Sequence, residues 1–166
     1  MTAFSLKLLA LATMTADHIG AIFFPQELWI RVIGRMSFPI YCFLLGEGLL
    51  HTRSFWRYAG RLGVFCVLSE VPYDLTFSHM YWQPARQNVF FTLLLGLLGA
   101  GLLLKKGKEK PFVCCVGAAL CAAAAECIHS DYGAMGVCFI ICFALIRNRP
   151  ASCAAFTFLN TADSLL

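Results

Sequence analysis

The sequence predicts an all-α protein, a polytopic transmembrane helix bundle of about six spans. Three observations predict it. The 166 residues are 60% hydrophobic and only 13% charged, about half the charge of an ordinary soluble domain. The apolar residues gather in six runs of span-like length. Lys and Arg concentrate in every second loop between those runs. Such a composition excludes a disordered chain, a basic nucleic-acid-binding domain and a plain soluble enzyme, and its net charge of +4 is no polyanion-binding signal.

A helix crossing a bilayer needs about 20 mostly apolar residues. The first run extends from Phe4 to Phe24 and the second from Leu28 to Leu50. The third covers Phe55 to Asp74, the fourth Asn88 to Leu104, the fifth Pro111 to Ile128 and the sixth Tyr132 to Ile146. Pro25, Pro84, Pro111 and Pro150 stand at or near run ends, where helices start or stop. Pro39 lies inside the second run and predicts a kink there. No sustained polar/apolar alternation of the barrel kind is present. Ala10-Leu11-Ala12 resembles a signal-peptide cleavage site, but the apolar run continues past it to Phe24, so a retained helix is expected.

Arg53 and Arg57 follow the second run, the stretch KKGKEK follows the fourth, and Arg147 and Arg149 follow the sixth; the intervening loops hold Arg86 alone. Excess Lys/Arg marks the cytoplasmic side. The N-terminus is therefore expected in the cytoplasm, with the loops near Gln26, Gln83 and Ser130 facing outward. Residues 1–150 form the expected membrane domain, and 151–166 an incomplete C-terminal segment too short to span. All nine cysteines but Cys153 fall in apolar runs, without CxxC or zinc-type spacing, so they read as small packing residues and no metal is expected.

Ionisable groups inside spans cost about 2.5–3.5 kcal/mol each on insertion scales and mark functional sites by default. This chain carries Asp17, His18, Arg31, Arg35, Glu47, Glu70 and Glu126. Counting about 1.5 Å per residue puts Asp17 and Arg35 level, roughly 10 Å below the outer ends of their helices. An Asp17–Arg35 pair is expected, with His18 turned toward a cavity. Glu70 and Asp74 share one face of the third helix, and Arg31 sits one turn from Arg35. Asn88, Thr92, Gly96 and Gly99 form a polar-to-small stripe that lets another helix approach. These groups converge in the outer half. At the inner surface Glu47, His51, Thr52 and Arg53 end the second run and Arg57 and Arg61 open the third, making a basic mouth with the lysines. Bland readings exist for each: a structural ion pair, a satisfied core histidine, arginines anchored to anionic headgroups.

The blocks LKLLALATMTADHIGAIFFP, RVIGRMSFPIYCFLLGEGLLHTRSFWRYAGRLGVFCVLSEVPYDLTF, QNVFFTLLLGLL and DYGAMGVCFIICF together resemble the TraX family, named for a conjugation protein that acetylates the N-terminus of pilin. The resemblance covers Leu6 to Phe143 in order. It implies an integral membrane acyltransferase of the bacterial inner membrane, with acetyl-CoA as acyl donor and an amine or hydroxyl of a protein N-terminus, sugar or lipid as acceptor. The family's Asp-His pair falls on Asp17 and His18, and its Gly-Arg on Gly34 and Arg35. Its Glu-Gly and Thr-Arg pairs fall on Glu47, Gly48, Thr52 and Arg53. Ser69, Glu70, Pro72 and Asp74 match a further motif, and Asn88 the start of the fourth helix. On that reading His18 is the general base, with Asp17, Arg35 and Glu70 completing the catalytic set. Arg53, Arg57, Arg61 and Glu47 hold the donor, and Asp74, Asn88 and Arg31 support the site. Family members usually continue through further helices, so the chain is expected to be C-terminally truncated. A transporter or channel-like module, or an inactive membrane fragment, stays open as an alternative. Membrane lipids are the expected surroundings, and no nucleic acid is expected to bind.

Overall fold

The computed structural model describes residues 3–24, 26–77 and 86–146. Seven helices fill them: α1 (Ala3–Phe23), α2 (Leu28–Arg35), α3 (Ser37–His51), α4 (Phe55–Phe77), α5 (Val89–Lys106), α6 (Pro111–Cys127) and α7 (Gly133–Ile146). The fold is all-α, as composition and run lengths predict. Pro25, Pro84, Pro150, the loop near Gln83, Arg147, Arg149 and the tail beyond residue 150 lie outside the described residues.

The second apolar run becomes two helices with a break at Met36. Pro39 explains its position. A proline ring crowds the carbonyl four residues back and brings no N–H to it, and that carbonyl belongs to Arg35, the last residue of α2. Met36 N–H bonds instead to Ile33 O at 3.2 Å, a tighter three-residue turn. The break falls three residues before the proline. Pro72 lies within α4, which continues three residues past the expected end at Asp74.

Among the described residues, three helical stretches are long and apolar enough to cross a membrane: Phe4–Phe23, Trp29–His51 and Val89–Lys106. α4 has 23 residues but includes Arg57, Arg61, Glu70 and Asp74. Both α6 and α7 are apolar and shorter, with 17 and 14 residues. The chain is a membrane protein by this pattern.

The chain divides into two compact units, one holding residues up to Leu44 and the other Leu45–Leu145. In the first, α1 packs on α2. Their contact is close because glycines face it: a Cβ on Gly20 would lie 2.7 Å from Ile30 Cγ2, and one on Gly34 would lie 2.6 Å from the Cα of Asp17.

In the second unit α5 is central, packing on α4 and α6. Its stripe of small residues has the predicted use. A Cβ on Gly96 would stand 2.8 Å from Ile140 Cβ of α7; Gly99 faces Ile141 and the Cα of Ala118; Gly101 faces the ring of Phe55. Small residues let membrane helices approach without a hydrophobic force between them. Asn88 caps α5, its Oδ1 accepting from Phe90 N–H at 2.9 Å. Pro111 opens α6, where its missing N–H is no loss. Glu126 Oε2 accepts from Ala134 N–H at 3.0 Å in the first turn of α7, where a carboxylate also suits the helix dipole.

Candidate functional site

The residues singled out from the sequence fall into both units. Asp17, His18, Arg31 and Arg35 belong to the first; Glu47, Arg53, Arg57, Arg61, Glu70, Asp74 and Asn88 belong to the second.

In the first unit Asp17 lies against Gly34, whose bare Cα admits the α1 backbone. The expected Asp17–Arg35 ion pair is not formed within 4.0 Å. Arg31 and Arg35, four residues apart, share one face of α2. Asp17 Oδ1 and Arg31 Nε are both buried without a hydrogen-bond partner.

His18 Nδ1 lies 2.9 Å from the carbonyl of Met14, one turn back on α1. A carbonyl only accepts, so Nδ1 carries the proton of this bond. The backbone thus performs the orienting function that a carboxylate performs elsewhere. Asp17, its sequence neighbour, does not provide that bond.

In the second unit a deep polar cluster joins α4, α5 and the α6–α7 turn. Glu70 is 1% exposed, Asn88 3% and Thr92 fully buried. Glu70 Oε2 accepts from the backbone N–H of Asn88 at 3.3 Å and from its side-chain amide, and that amide also donates to Cys66 O at 3.1 Å. Asn88 therefore uses its amide on α4 and its carbonyl oxygen as the α5 cap. Glu70 Oε1 is buried with no hydrogen-bond partner. Asp74, one turn along α4, is equally buried. Thr92 Oγ1 donates to Ser130 Oγ at 2.9 Å, and Ser130 Oγ donates to Ala125 O at 3.1 Å. Gln87 N–H donates to His129 O at 3.2 Å, and His129 takes a positive φ of 52° in this turn. The Thr92–Ser130 link had no signal in the sequence beyond two polar residues at helix ends.

At the start of α4, Thr52, Arg53, Ser54, Arg57, Gly60, Arg61, Val64 and Phe65 line a groove of about 660 Å³. The three arginines grouped from the sequence share this groove. Its lining all comes from 52–65; Lys105 lies over the Phe55 ring, 4.8 Å from its centroid. Glu47 pairs with His51, Oε2 to Nδ1 at 3.4 Å, and does not line the groove. A Cβ on the adjacent Gly48 would stand 2.6 Å from the Tyr58 hydroxyl oxygen, so α4 closes over the end of α3 there. At the groove's other end Phe65 stacks on Phe90 with centroids 6.4 Å apart, two residues from Asn88. Among the described residues no group of three or more His, Cys, Asp or Glu is placed to hold a metal ion.

A family model described as TraX protein matches residues 3–164, nearly the whole chain. The chain belongs to the TraX family. Curated relatives of this TraX chain include the probable fimbrial assembly protein FimC, serogroup H1, of Dichelobacter nodosus, 35% identical over 108 residues. The uncharacterized protein RP591 of Rickettsia prowazekii (strain Madrid E) is 46% identical over 41 residues. The matches cover 58% and 25% of this chain but 44% and 16% of those relatives, so this chain spans less than half of either relative's length. No solved structure matches significantly.

Proposed function

We propose that this TraX-family chain is part of an integral membrane acyltransferase that moves an acetyl group from acetyl-CoA to an amine or hydroxyl acceptor across the membrane. The observation that carries this reading is the groove at the start of α4, where Arg53, Arg57 and Arg61 stand with the hydroxyls of Thr52 and Ser54. Guanidinium forks suit phosphate oxygens, and about 660 Å³ lies in the range of small-molecule sites. The residues present therefore fit the phosphate-bearing end of coenzyme A. Acetyl-CoA supplies an activated thioester carbonyl. The distribution of Lys and Arg supports a cytoplasmic N-terminus in a bacterial inner membrane, with the groove open to the cytoplasmic donor pool.

In the first unit His18 is the proposed general base. Its Nδ1–H is held by Met14 O; Nε2 takes the proton the acceptor loses as its N or O bonds to the acetyl carbon, and passes it to the sulfur as the thioester C–S bond breaks, so that coenzyme A leaves as the thiol. Asp17, Arg31 and Arg35 set the local field. In the second unit Asn88 fixes the Glu70 carboxylate, with Asp74 beside it. Glu47 serves by pairing with His51 at the end of α3. The likeness to the probable fimbrial assembly protein of Dichelobacter nodosus supports a pilin-type protein as acceptor.

The test is acetyl transfer from radiolabelled acetyl-CoA by a full-length, active TraX relative carrying the His18→Ala equivalent. Loss of general-base catalysis predicts a drop of about 10²–10⁴-fold. Undiminished turnover by a normally folded variant rejects the base assignment.

A further inference from the structure

Six glycines of the second unit stand where a side chain would collide: Gly107 and Gly133 at helix ends, and four inside helices. A Cβ on Gly48 would meet Tyr58 Oη at 2.6 Å, on Gly96 Ile140 Cβ at 2.8 Å, on Gly101 Phe55 Cε2 at 2.5 Å and on Gly117 Leu102 Cδ1 at 2.9 Å. Packing alone accounts for them. Gly60 is different. A Cβ there meets nothing within 4 Å. It lies inside the 23-residue α4, where glycine is the poorest helix former apart from proline. Neither crowding nor helix formation calls for a glycine at this position.

Gly60 lines the arginine groove. Arg57, Arg61 and Phe65 recur four residues apart along one row of α4, and Gly60 and Val64 along the row beside it. Charge is therefore graded along the groove, with cations toward the start of the helix and exposed Val64 and Phe65 toward the middle. A ligand matching this gradient carries phosphates at one end and an uncharged arm at the other. At Gly60 the arm would cross bare backbone.

We propose that Gly60 is a specificity-determining residue of this groove: its missing side chain leaves passage for the uncharged arm of a coenzyme A thioester whose phosphates rest on Arg53, Arg57 and Arg61. The proposal rests on the acyl-donor reading above and adds to it the direction in which the donor lies and the residue that admits its arm. The arm runs along α4 toward Phe65, which stacks on Phe90 beside the Asn88–Glu70 pair.

The experiment measures binding of coenzyme A and of ADP, which has phosphates but no pantetheine arm, to the full chain in phosphatidylcholine nanodiscs. Wild type, Gly60→Ala, Gly60→Leu and Arg57→Ala are compared by calorimetry, with a melting curve for each. Gly60→Leu is expected to weaken coenzyme A binding at least tenfold, Gly60→Ala less, and neither to change ADP binding. Arg57→Ala weakens both ligands. Gly60→Leu should melt no lower than wild type, because it improves a helix and meets no neighbour. Coenzyme A bound equally by wild type and Gly60→Leu overturns the proposal and leaves the donor reading standing. A lowered melting temperature in Gly60→Leu also overturns it, since the space would then belong to packing. Failure of wild type to bind coenzyme A, with or without capture of phosphatidylglycerol from anionic discs, overturns the donor reading and the proposal together.

Discussion

Asn88 holds Glu70 from the first turn of a different helix, its backbone N–H and its side-chain amide both donating to one carboxylate oxygen. The same side chain caps α5 through Phe90 N–H and reaches Cys66 O on α4. One asparagine thus satisfies a buried acid, a helix terminus and an α4 carbonyl. An acid that is 1% exposed needs such a partner, because an unpaired charge in the interior is strongly destabilising.

Asn88→Ala should therefore destabilise the second unit by about 2–4 kcal/mol, from a charge-assisted bond and a cap lost together. Asn88→Asp keeps the cap and places a second carboxylate against Glu70, so it should be no milder. Glu70→Gln, which can still accept from Asn88, should be the mildest of the three. Denaturant unfolding in mild detergent gives the ranking, and a neutral Asn88→Ala would remove Asn88 from this role.

Gly34→Ala should separate α1 from α2. Its methyl would stand 2.6 Å from the Cα and 2.8 Å from the N of Asp17, and backbone cannot give way as a side-chain tip can. Overpacking of this kind costs about 1–3 kcal/mol or more.

Gly96 and Ile140 should behave as one packing unit. Gly96→Ala alone brings a methyl to 2.8 Å from Ile140 Cβ and should cost about 1–3 kcal/mol. Ile140→Ala alone opens a cavity where Ile140 is 1% exposed, costing about 2–5 kcal/mol. The double variant should be more stable than the sum, because the new methyl enters the vacated space. Strict additivity in a double-mutant cycle would deny the contact.

Hydropathy made most of the fold legible. The apolar runs became helices with ends moved by a few residues, and Pro39 announced a break whose place, Met36, follows from the carbonyl that its ring opposes. The arginines at four-residue spacing announced a shared face, and they share a groove. What failed was pairing across helices. Counting residues from a membrane surface gives depth and says nothing of azimuth, so Asp17 and Arg35 are level on paper and unpaired within 4.0 Å. Asn88 was visible as a helix start, but its bond to a carboxylate eighteen positions away is a product of tertiary packing that no local spacing encodes. Lys105 was read as a topology signal, and its position over Phe55 depends on Gly101 admitting that ring.

Thr92 and Ser130 supply the last prediction. Their hydroxyls form a directed chain, Thr92 donating to Ser130 and Ser130 to the carbonyl of Ala125. Thr92→Val removes the first bond while preserving shape and leaves Ser130 still bonded to Ala125 O, so it should cost about 1 kcal/mol. Ser130→Ala removes both bonds and takes away the acceptor of a fully buried Thr92 hydroxyl, and should cost more, about 1–3 kcal/mol. Thr92 limits that loss by turning back to the carbonyl one helical turn earlier, as threonines in helices do. The double variant should cost less than the two singles added, since no hydroxyl is left stranded. A cycle with no coupling would mean the hydroxyls do not meet.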